Sequence, residues 1–158
     1  PDNRNAVILN SQGTIIFEIE RKLVPLGIEY SLIDAVSKET ISMYFSDETH
    51  FEIVQNNQRV GFVEIRKVKD TIELKDLADN IEAMTEKDGF IKRKTLYEGN
   101  NDDVTMAYLK PMIPEKVIGN MPPTNLYELE IKRQNLGMRK ILVFALFMLI
   151  YFRSNPYR

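Results

Sequence analysis

Few residues in this chain could do chemistry, and their types narrow the options. Its 158 residues include no cysteine and a single histidine, His50. Without thiols there is no disulfide, no thiolate zinc site and no cysteine nucleophile. One histidine also rules out a two-histidine metal site. An imidazole titrates near neutral pH and could act as a general base, in principle within a serine–histidine–aspartate triad. No serine, however, sits in a nucleophile-elbow context. His50, between Thr49 and Phe51, therefore also reads as a residue at the mouth of a hairpin. Any catalysis would rest on backbone amides, carboxylates and a borrowed cofactor.

Three further clusters carry candidate chemistry. Asn100, Asn101, Asp102 and Asp103 form an oxygen-rich run. It lacks the alternating ligands, sixth-position glycine and twelfth-position glutamate of a calcium loop, so a solvated turn is expected. Lys92, Arg93 and Lys94 alternate with Phe90, Ile91, Leu96 and Tyr97, as a base-stacking strand or a lysine-guarded edge strand would. With 21 basic against 23 acidic side chains, no nucleic-acid partner is expected.

The third cluster is the segment from Asn125 to Leu142. With a strand over 126–131, residues 133–139 become a tight basic loop opening a helix. Backbone N–H groups and a helix N-terminus would then face an anion such as a pyrophosphate. The same segment has a second reading. Pro122, Pro123, Thr124 and Asn125, with Glu128 three residues on, form a capping box. Residues 126–152 would then be one long helix, or two broken at Gly137, with no phosphate site.

The surrounding pattern indicates the elements that would position these residues. Residues 6–19 read as a hairpin turned by Asn10, Ser11, Gln12 and Gly13. Leu32, Ile33, Val36 and Ile41 lie near helical spacing, predicting a helix over 29–44. Residues 51–65 form a hairpin joined by Gln55, Asn56, Asn57 and Gln58. Asp70 and Glu73 have capping-box spacing ahead of Leu74, Leu77, Ala78, Ile81 and Met84, which predicts a helix stopped near Gly89. Strands are expected over 90–97 and 104–109.

Residues 141–152 are apolar apart from the Tyr151 hydroxyl. That run is shorter than the roughly 20 residues of a membrane span, so a buried helix is expected. A membrane-tethering or dimerising helix is the other reading. Length and 44% apolar content suit a single domain over 1–158. The expected fold is α+β: a mainly antiparallel sheet built from hairpins, packed against two or three helices, with a long apolar C-terminal helix. The start of the chain has no secretory pattern, which points to a cytoplasmic setting. The end at Arg158 leaves open that the natural chain continues.

The segment Gln134-Asn135-Leu136-Gly137-Met138-Arg139, followed by Lys140-Ile141-Leu142, resembles the acetyl-CoA loop of GNAT-type acetyltransferases. Their pattern is Gln/Arg-x-x-Gly-x-Gly/Ala at a strand-to-helix junction, and Arg139 stands here at the second small position. The hairpin around Asn57-Gln58-Arg59-Val60-Gly61-Phe62-Val63-Glu64-Ile65 is similar to that family's second and third strands. The resemblance implies acyl transfer from acetyl-CoA to a small-molecule or peptide amine. Backbone amides from Asn135 through Leu136, Gly137 and Met138 to Arg139 would bind the pyrophosphate, with Gln134 and Arg139 as side-chain contacts. Glu128 would be the base acting through water. The opening hairpin is also faintly similar to PAS-type and longin-type domains. That likeness implies a non-catalytic sensor or interaction module with a C-terminal helix for dimerisation or tethering.

Overall fold

The computed structural model describes residues 6–25, 27–45, 49–86, 94–99, 104–111, 127–133 and 137–154. Its described residues form eleven strands in chain order, paired antiparallel, and one C-terminal helix. The strands are β1 (Ala6–Leu9), β2 (Ile15–Val24), β3 (Gly27–Asp34), β4 (Thr40–Phe45), β5 (His50–Gln55) and β6 (Gln58–Arg66). They continue as β7 (Thr71–Lys75), β8 (Ile81–Glu86), β9 (Lys94–Glu98), β10 (Thr105–Pro111) and β11 (Tyr127–Ile131), before α1 (Met138–Ser154). Two compact units result: residues 1–66 with 74–80, and residues 67–73 with 81–158.

The expected α+β packing of a sheet against two or three helices is overturned, because α1 is the only helix among the described residues. Both interior helices that the spacing predicts are strand pairs. In 29–44, Leu32 and Ile41 are neighbours because they pair across β3 and β4, and both are buried. Val36, which helical spacing would bury, is 90% exposed at the turn between them. Asp34 builds that turn: its Oδ1 accepts from the N–H groups of Val36 (2.9 Å) and Ser37 (3.0 Å). An aspartate able to bond the backbone two and three residues on favours a turn over a helix interior.

The second predicted helix fails in the same way. Asp70 has φ +52°, whereas a helix N-cap residue takes an extended backbone. Along β7 both faces are buried, Ile72 and Leu74 on one and Glu73 and Lys75 on the other. Asp76 Oδ1 then accepts from the Ala78 and Asn80 N–H groups (3.0 and 2.9 Å), turning the chain into β8 and leaving Leu77 exposed. The Gly89 stop, residues 90–93 of one expected strand and the run 100–103 lie outside the described residues.

The two hairpins follow their turn chemistry. Asn10 Oδ1 accepts from Gln12 and Thr14 N–H groups, and Gly13 takes φ +83°. Asn56 and Asn57 take φ +54° and +62°, as a two-residue hairpin turn with matching twist requires. In the first unit, one sheet face buries Phe17, Leu32, Ile41, Met43, Phe51, Ile53, Val63 and Ile65. Gly61 is required there by close approach: an added Cβ would lie 2.5 Å from the backbone oxygen of Lys75.

In the second unit, Leu96, Ala107 and Leu109 are buried on β9 and β10. Along α1, every residue from Ile141 to Met148 is buried. Eight consecutive residues cover all sides of a helix, so these turns have no solvent face.

Two core substitutions test this arrangement by thermal and urea denaturation. Gly61→Ala is expected to destabilise by about 2 kcal/mol, because backbone on both sides of the contact must move. Phe147→Ala is expected to cost about 3–5 kcal/mol, the range for truncating a fully buried aromatic. A cost below 1 kcal/mol for Phe147→Ala would contradict the all-round burial of α1.

Candidate functional site

The strand–loop–helix segment is the natural place to start. β11 is a strand and α1 begins at Met138, so the single long helix over 126–152 does not form. Gln134, Asn135 and Leu136 lie outside the described residues. Gly137 has φ +81°, with open space where a Cβ would stand, and its carbonyl accepts from the Ile141 N–H at 3.4 Å. Met138 is 41% exposed.

The helix start carries Arg139 and Lys140, and no acidic residue lies in its first turn. Cations at a helix N-terminus oppose the peptide dipoles. Glu82 on β8 supplies the missing anion: its carboxylate accepts two hydrogen bonds from Lys140 Nζ, at 2.7 and 3.0 Å. The cations before the loop are also engaged. Lys132 Nζ lies 2.6 Å from Glu130, and Arg133 Nε lies 2.9 Å from Glu98. The hydrogen bond and charge of Glu130 push the Lys132 ammonium above the usual lysine range. Lys132, Arg133 and Lys140 thus already have carboxylate partners within the chain. Arg139 has an interaction of its own.

Glu128 sits on β11 opposite Lys110 of β10, with Nζ 3.4 Å from its carboxylate, and is 43% exposed. It shares the outward face with Glu130, away from Leu129, which pairs with buried Leu109. The pair is solvated, and the structure brings Glu128 together with Lys110. Lys94 of the basic stretch is buried on β9 rather than displayed.

A second cluster, which sequence reasoning missed, lies in the first unit. His50 Nε2 is 2.8 Å from Glu52, and Glu52 is 2.7 Å from Arg59. The imidazole stacks on Phe62 at 4.6 Å between centroids, and the Lys75 ammonium lies 5.9 Å from the same ring. Lys75 Nζ donates to Glu64 at 3.0 Å and Asp79 at 3.2 Å, and its side chain is only 4% exposed. The sequence signal was the alternation of Ile72 and Leu74 with Glu73 and Lys75, obscured by helical spacing. Burial pulls the Lys75 ammonium down, but hydrogen bonds and charges from Glu64 and Asp79 outweigh it and hold it above the usual lysine range. Burial, then the charge and hydrogen bond of Glu29, likewise push the Tyr44 phenol up.

This cluster is a chain of matched pairs. The His50 imidazole in it is engaged by the Glu52 carboxylate and the Phe62 ring. Among the described residues there is no group of three or more histidine, cysteine or acidic side chains that could hold a metal. No described helix is long and apolar enough to cross a membrane. The chain matches no family model, no curated protein and no solved structure.

The three raised groups, Lys132, Lys75 and Tyr44, bind their protons more tightly when folded. Their contribution is therefore complete below the unfolded-state value and lost as pH rises through the folded-state value. Urea denaturation should show an alkaline fall in stability beyond the ordinary tyrosine and lysine range. Lys75→Met should lose on the order of 2–3 kcal/mol at neutral pH, having left Glu64 without its buried partner, and should show a shallower alkaline fall. Glu82→Gln should lose about 1–2 kcal/mol, since the cationic helix start is left without its carboxylate. An unchanged melting temperature for Glu82→Gln would show that this pair contributes nothing.

Proposed function

We propose that this chain is a non-catalytic interaction module, acting by binding a partner rather than by turning over a substrate. One observation carries the reading: the anion that the basic helix start would attract is supplied from within the chain. Glu82, Glu98 and Glu130 neutralise Lys140, Arg133 and Lys132. A pyrophosphate would have to displace these carboxylates at a cost in charge-assisted hydrogen bonds. The Glu128–Lys110 pair and, within the first unit, the ring-stacked His50 are engaged in the same way. Of the run 141–152 expected to tether or dimerise, residues 141–148 are buried within their own chain. Partner binding on this reading uses other surfaces.

A second reading, acyl transfer from acetyl-CoA to an amine, draws support from the order of β11, loop and α1 and from the left-handed backbone at Gly137. On that reading, backbone amides near Gly137, Met138 and Arg139 hold the pyrophosphate and Glu128 is the base.

A thermal-shift titration with acetyl-CoA separates the two. The interaction module should show no change in melting temperature at millimolar ligand. A saturable rise of several degrees would overturn it in favour of the transferase, since ligand bound only to the folded state must stabilise it.

A further inference from the structure

We draw no further inference here: the strongest candidate, the exposed apolar patch of Val7, Leu9 and Ile15 on terminal strand β1 and the start of β2, carries nothing because no part of the structure shows what covers it.

Discussion

The all-round burial of residues 141–148 in α1 is the constraint on which the second unit depends. Ile141 to Met148 leave no polar face, so this stretch cannot lie at a surface without exposing a large apolar area to water. Its charged residues lie at its two ends, and at the start Arg139 and Lys140 have the wrong sign for the helix dipole. The contact between Glu82 and Lys140 resolves that conflict, joining residues 58 apart in sequence. One ion pair therefore both offsets an unfavourable helix start and ties α1 to β8.

Charge matching recurs throughout the molecule and shapes its functional reading. Glu52 lies between His50 and Arg59, and Glu64 with Asp79 engages the buried Lys75. A buried ammonium is tolerable only with such partners, because desolvation would otherwise discharge it. Catalytic and anion-binding sites keep some polar groups waiting for a ligand. Among the described residues, Lys132, Arg133 and Lys140 are engaged by carboxylates of the same chain.

Legibility in the sequence followed the range of the interactions. The hairpins at 6–19 and 51–65 were readable because Asn10, Gly13, Asn56 and Asn57 decide their turns locally. Over 29–44 and 70–86, two short strands around an aspartate turn imitate helical spacing. Leu32 and Ile41 meet across a ladder, not along a helix. Val36 and Leu77, needed for the helical faces, are exposed. Asp34 and Asp76 were the overlooked signals, since each bonds backbone N–H groups two or more residues onward.

The absence of cysteine and the single histidine determined, without any coordinates, that thiol and two-histidine metal chemistry lie outside this protein's reach. The apolar run after Lys140 likewise determined that a helix there would need burial on every side. Only the tertiary structure decided that the two interior segments pair as strands, and that Lys140 and Arg133 meet Glu82 and Glu98. The physical reason is that periodicity and turn propensity act over a few residues. An ion pair depends on distance in space, and chain separation says little about that until the fold is formed.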